Sequence, residues 1–384
     1  MKLKPCIAAL ALAIALAPAL DAQAMFSPTW GFRLDLPPGF ELIDGNAFDR
    51  FSFEGPSEAM FDILVYNGVY SSVEAMMRDV VARLGNTGNE TLFEYSGRDA
   101  GIMELRFAGM EGWALGLELD GSGWLVPPLL LALAYAPAGT ENVDLIHISA
   151  LNSIAPTDAE ALLPGPIVEF AIPRGDPVRK PLAGSLGLSA MFRENDASAA
   201  QMLVDNEFLL LSLYQFSRYW QEAWIRFYRA IFRDSWDRIS DAAFQLERAL
   251  RLGAQESRAL DPGERDRVFA QRALSFVQGF AYERDRAGSD FVNLVSAITE
   301  GRGDCDSRAM LWATVLSQAN IPAGIMVSRE YSHAMGLADL PGPGARFESA
   351  GVRWLVAETT ARIDIGLIDA EQSVTENWLG VTFE

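Results

Sequence analysis

The apolar residues of this chain keep one period up to about residue 154, lose it across a run of prolines and glycines, and resume with another. Trp30, Phe32, Leu34 and Leu36 alternate with Gly31, Arg33 and Asp35 before Pro37-Pro38-Gly39, the two-residue repeat of a half-buried strand. Similar strand-like runs cover 59–66, 91–95, 102–107, 113–119 and 129–135. A helix interrupts them: Ser71-Ser72-Val73-Glu74 has capping-box form, Val73, Met76, Met77, Val80 and Leu84 fall at helical spacing, and Gly85 ends it. A second helix is expected over 142–153. Residues 155–187 hold Pro156, Pro164, Pro166, Pro173, Pro177 and Pro181 among glycines and read as a linker. From 199 to 252 the period is helical, with Trp236, Ile239, Ala243, Leu246 and Leu250 on one seam, and a further helix is expected over 264–282.

The pattern predicts an α+β chain. An N-terminal antiparallel-sheet sandwich domain (25–154) precedes the linker (155–187), a helical segment (188–258) and a mixed C-terminal domain (259–384). Ahead of them, Lys2 and Lys4, an apolar run from Cys6 to Leu20 and Ala22-Gln23-Ala24 have the form of a cleavable export signal, residues 1–24. No later stretch is apolar for long enough to span a bilayer. The expected location is therefore periplasmic or extracellular, without a transmembrane segment. A net charge of −20 repels polyanions and excludes nucleic acid as a natural partner.

Once the signal is set aside, Cys305 is the single cysteine, so no disulfide framework supports the fold. It stands in Gly301-Arg302-Gly303-Asp304-Cys305-Asp306, before Ala309, Trp312, Val315, Leu316 and Ala319 at helical spacing. A thiol in the first turn of a helix meets unbonded N–H groups and the positive end of the helix dipole, which favour thiolate. The Cys305 N–H is positioned to serve as an oxyanion donor. His333, one of two histidines, shares a strand face with Met335 and Leu337, and Glu358 shares one with Trp354 and Val356. Antiparallel pairing of those strands brings His333 and Glu358 side by side beneath the cysteine helix. Nucleophile, base and orienting carboxylate then follow in order.

These residues resemble the transglutaminase-like cysteine enzymes, relatives of papain. The likeness is carried by the segment around Cys305, by Ser332-His333-Ala334, by Trp354-Leu355-Val356-Ala357-Glu358-Thr359-Thr360, and by Val277-Gln278-Gly279-Phe280-Ala281-Tyr282. It implies a papain/transglutaminase-like fold, Cys305 as nucleophile, His333 as base and Glu358 as orienter. Gln278, Tyr282, Gly303 and Asp304 become candidates for substrate binding or oxyanion support. Met335 stands where many members have Trp, and Glu358 where many have Asp. The N-terminal domain resembles the PsbP-like sandwich domains, through Gly31-Phe32-Arg33-Leu34-Asp35-Leu36-Pro37 and Ser149-Ala150-Leu151-Asn152-Ser153-Ile154.

The expected function is thiol-dependent acyl transfer on carboxamide or peptide bonds, as a peptidase or amidase with water as acceptor or as a transglutaminase-type enzyme with an amine. Hydrolysis is preferred because water is abundant outside the cell, with protein or cell-wall peptides as candidate substrates. The alternative is a catalytically silent relative serving as an envelope binding or scaffold protein. No Cys/His cluster has metal-ligand spacing and no phosphate-cradling loop is present, so no metal or cofactor is expected. Arg302-Gly303-Asp304 matches an adhesion tripeptide but belongs to the turn before the cysteine. His147 falls on the apolar face of its helix and reads as a core residue. The aromatic set Tyr214, Tyr219, Trp220, Trp224, Phe227, Tyr228 and Phe232 reads as core rather than as a stacking platform for sugars.

Overall fold

The computed structural model describes residues 24–46, 48–85, 88, 90–283 and 289–383. The expected export signal, apart from its last residue, lies outside them. β1 (Ala24–Phe26) and β2 (Arg33–Asp35) pair antiparallel. There follow β3 (Glu41–Gly45), β4 (Arg50–Glu54), β5 (Met60–Tyr66), α1 (Val73–Arg83), β6 (Thr91–Tyr95), β7 (Arg98–Phe107), β8 (Met110–Glu118) and β9 (Leu129–Pro137). Seven of these strands form one antiparallel sheet in the order β3-β4-β5-β9-β8-β7-β6. β9 returns between β5 and β8, and Leu129 to Ala134 are all buried there. That two-sided burial is why the segment is apolar throughout rather than alternating.

Helices cover both faces. Ser72 caps α1 by accepting from Ala75 N–H, and Val73, Met76 and Met77 pack with Met103, Leu105 and Leu131 on one face. α2 (Val143–Asn152) covers the other, with Ile146, Ala150 and Leu151 in a core that includes Phe32, Ile63 and Leu115. The N-terminal sheet is thus sandwiched between helices, an α+β arrangement.

The proline-rich stretch is built into the fold, unlike a free linker. Pro166 opens α3 (Pro166–Ala171), whose Ile167 and Val168 are buried. Pro177 and Pro181 bound β10 (Pro177–Pro181), which pairs with β11 (Ser189–Arg193). The prolines mark element ends, where a missing N–H costs little, so their number does not interrupt the elements.

α4 (Asp196–Leu213), α5 (Trp220–Arg238), α6 (Ser240–Leu250), α7 (Ala254–Ser257) and α8 (Pro262–Val277) come next. α8 starts on the Asp261/Glu264 capping box and stops before Gly279, short of the expected 282. Then come β12 (Ala281–Tyr282), α9 (Leu294–Glu300), β13 (Arg302–Gly303), which pairs parallel with β12, and α10 (Cys305–Gln318). The C-terminal sheet comprises β14 (Ala323–Ser328), β15 (His333–Ala338), β16 (Arg346–Ser349), β17 (Val352–Ala357) and β18 (Leu379–Thr382), antiparallel in the order β16-β17-β15-β14-β18.

α10 is buried along nearly its whole length and packs on β14 and β15. Ala334, Gly336 and Ala338 face it, and their small size lets Trp312 settle against the sheet; a Cβ on Gly336 would lie 2.4 Å from that indole. Met335, Leu337, Trp354 and Val356 belong to a separate cluster on the opposite face. The expectation that the His333 face lies beneath the cysteine helix is therefore corrected: the small-residue face does, because only it admits α10 this closely. No helix among the described residues is long and apolar enough to cross a membrane.

Candidate active site

Gly301, in the left-handed region at φ 70°, terminates α9 and returns its N–H to Ala297 O. Two residues of strand follow, and then Asp304 caps α10, its Oδ1 accepting from Ser307 N–H (2.8 Å) and Ser307 Oγ–H (2.5 Å). Gly303 lies under this turn, where a Cβ would come within 2.9 Å of Ser307 Cβ. Arg308 is buried and pins the approach, donating to Gly303 O and Phe280 O while its guanidinium lies over the Tyr282 ring. The sequence thus delivers Cys305 at the first helical position, 7% exposed, in the wall of a cleft of about 450 Å³.

His333 opens β15 and lines the same cleft. Its Nε2 meets Glu358 Oε2 at 2.7 Å, with the two side chains 13% and 8% exposed. The other carboxylate oxygen accepts from Thr360 N–H and Thr360 Oγ–H, both at 2.6 Å. Glu358 is therefore fixed at both oxygens. Burial alone would raise its pKa, but the His333 and Thr360 contacts bring it below the usual carboxylate value. With Nε2 committed to Glu358, Nδ1 is the nitrogen left for the thiol or substrate. The indole of Trp378 stands edge-on to the imidazole at 6.3 Å. The Ala334 N–H, next along the strand, is aimed at the Cys305 sulfur.

The thiol itself departs from expectation. Its S–H donates to Asp306 Oδ1 at 3.2 Å, and Asp306 Oδ2 accepts from Tyr228 Oη–H at 2.6 Å. Burial, then the charges of Asp306 and Asp304, push the Cys305 pKa far up, overriding the helix dipole. That direction runs against the expectation that the helix start favours thiolate. Asp304 shares this crowding: burial and the neighbouring Asp306 raise its pKa to about 7.

The other candidates divide. Gln278 is buried, and its amide N–H groups donate to Glu358 O (2.8 Å) and Ile363 O (2.9 Å). It anchors the segment carrying Glu358, and an oxyanion role is ruled out for that amide because both its protons are committed elsewhere. Tyr282 and Asp304 line the cleft; Gly303 shapes the turn. Sequence places Tyr228 only among the core aromatics and gives Asp306 no role of its own. Tyr228 lies on α5, far from Cys305 in sequence, and nothing local marks it as a neighbour of that residue. Asp304, Cys305 and Asp306 bring one ligand atom each within 4.8 Å of one another, but the first caps α10 and the last already accepts two hydrogen bonds.

Of the aromatic set, Tyr214, Phe227, Tyr228 and Phe232 are buried, as a core reading expects. Trp220 and Trp224 are half-buried and line the cleft. His147 is fully buried, and burial pushes its pKa down to about 4, which keeps it a neutral core residue.

No family model matches the chain, and no curated protein matches it. Among solved structures, it is similar to a protein from Bacteroides thetaiotaomicron VPI-5482 determined at 1.50 Å resolution, with 9% identity over 66% of this chain and 77% of that one. The TM-score is 0.25, too low for that likeness to bear on fold or function.

Proposed function

We propose that the protein is an exported, transglutaminase-like thiol acyl-transfer enzyme acting on carboxamide or peptide bonds, with water as the acceptor. The observation that carries this reading is the 2.7 Å contact between His333 and Glu358 at the rim of the cleft that holds Cys305. A substrate carbonyl seated at the sulfur is attacked as His333 Nδ1 takes the thiol proton. The S–C bond forms and the carbonyl oxygen gains the charge, facing N–H groups of the first turn of α10, which have no carbonyl partner within the helix. Collapse breaks the C–N bond, and the imidazolium gives its proton to the leaving amine. Water, deprotonated by the same imidazole, then hydrolyses the thioester. Glu358 holds the ring orientation and balances the imidazolium charge.

A high resting thiol pKa suits a concerted proton transfer to His333 better than a preformed ion pair. It also favours a second reading, a silent relative that binds envelope peptides, because the S–H is engaged in a hydrogen bond to Asp306. Turnover of a peptide-amide library separates the two. Activity abolished in Cys305→Ala, and reduced by about 10³-fold or more in Glu358→Gln, is expected for the enzyme. Activity surviving in Cys305→Ala defeats it.

A further inference from the structure

The cleft does not end at the sulfur. Beyond Cys305 and His333 it continues along α4 and α5, walled by Phe208, Leu211, Trp220, Trp224 and Phe227. Trp220 and Trp224 are one helical turn apart and half-buried, while Ile225, Ile231 and Phe232 of the same helix are buried in the core. Trp224 rests one side on the core that α5 helps to form, yet both indoles keep part of their surface open to the cleft. Their rings lie 6.1 Å apart and are inclined by 46°, forming a wedge rather than the flat platform that would support the face of a sugar ring. The wall is held in register with the nucleophile, since Tyr228 of α5 bonds Asp306, the residue after Cys305. Asp290, Asp304 and Asp306 outnumber Arg329 among the charged side chains of the cleft besides His333, in a chain of net charge −20.

We propose that the α4–α5 wall is a specificity subsite that seats a large uncharged side chain, aromatic above all, beside the scissile amide and turns away acidic ones. The proposal rests on the reading of Cys305 as the nucleophile. The cleft volume of about 450 Å³ falls within the range of about 300–1,000 Å³ found for small-molecule sites and leaves room for such a group as well as the reacting carbonyl. The apolar wall supplies the attraction, and the carboxylates supply the exclusion.

Three acetyl-aminoacyl chloromethyl ketones, bearing phenylalanine, alanine or glutamate side chains, test this on the full chain beside iodoacetamide, which carries no side chain. Each alkylates the Cys305 sulfur, which loses its proton as the halide leaves; mass spectrometry follows the adduct at mildly alkaline pH. The phenylalanine ketone is expected to react about tenfold or more faster than the alanine ketone, the value of extra apolar groups in a fitted pocket, and the glutamate ketone slower than both. In Trp220→Ala and Trp224→Ala the phenylalanine-to-alanine ratio should fall towards one, and in Trp224→Phe it should persist. Because unfolded chain would itself give a ratio near one, each variant is first shown by circular dichroism to be folded, and the persistence of the ratio in Trp224→Phe controls for loss of the ring alone. Equal rates for phenylalanine and alanine, or a ratio unmoved in both alanine variants, would overturn the subsite while iodoacetamide labelling of Cys305 leaves the nucleophile standing. Failure of every reagent to label Cys305 in the folded chain would remove both.

Discussion

Cys305 was legible as the nucleophile candidate from its glycine-flanked helix start, but its electrostatics were not. The dipole of a helix N-terminus and a nearby imidazole argue for thiolate; burial of the sulfur argues against it first, and the neighbouring Asp306 and Asp304 add to that. Sequence shows that Asp304 and Asp306 are adjacent to Cys305, not that their carboxylates turn toward it. Replacing Asp306 with Asn keeps an oxygen that can accept from the thiol but removes the negative charge beside it. Iodoacetamide should then label Cys305 faster at neutral pH, about tenfold for each unit by which the thiol pKa falls. An unchanged rate–pH profile would contradict the role given to Asp306. Asp304 has a signed consequence for stability. Its pKa is raised from 3.8 in a free side chain to about 7, so the folded state holds a proton that the unfolded state has released. Its contribution is therefore most favourable below pH 3.8 and is lost as pH rises to about 7. Asp304→Asn keeps a capping oxygen for Ser307 without the charge. Its unfolding midpoint relative to the natural protein should rise between about pH 4 and pH 7. A gap independent of pH would count against this.

At the level of elements, long periodic segments were readable and short or edge ones were not. Thr91–Tyr95 falls at its expected bounds, and α1 within one residue of them. β3 was missed because all five of its residues are exposed, so no apolar alternation marks it. β4 offers only Phe51 and Phe53 as a signal. The pairing of His333 with Glu358 followed correctly from two strands read as neighbours, but their faces relative to α10 did not, since the choice depends on how closely a helix can approach. The deciding residue is Gly336, against which Trp312 rests. Gly336→Ala should cost about 1–3 kcal/mol, the usual penalty for overpacking a close-packed core, read as a lowered urea midpoint. Combining it with Trp312→Phe should recover part of the loss. A neutral Gly336→Ala would mean that α10 rests on the sheet less tightly than described.

Across the whole molecule, the α+β class was visible in the change of apolar period, whereas the way the parts join was not. The joining residues are polar and lie far apart in sequence. Arg226, 3% exposed, pairs with Glu207 at 2.7 Å and donates to Asp35 O, tying α4 and α5 to the edge of the first sheet domain. Arg233 donates to the carbonyls of Asn152, Ser153, Ile154 and Leu163. Arg226→Met strands a buried carboxylate and should cost about 3–5 kcal/mol in denaturant unfolding, whereas adding Glu207→Leu should restore much of it. Equal stabilities for the single and double variants would argue against a buried pair. α5 therefore does two jobs on different faces: Trp220, Trp224 and Tyr228, four residues apart, wall the cleft and meet Asp306, while Arg226 and Arg233 grip the N-terminal domain. The boundary suggested near residue 259 by the change in pattern is consequently no seam. A fragment excised there would keep the nucleophile, the imidazole and the acid, yet shed Tyr228 and both indoles. The C-terminal unit is not a transplantable cassette, and fusions or truncations of this chain must carry α5 with it.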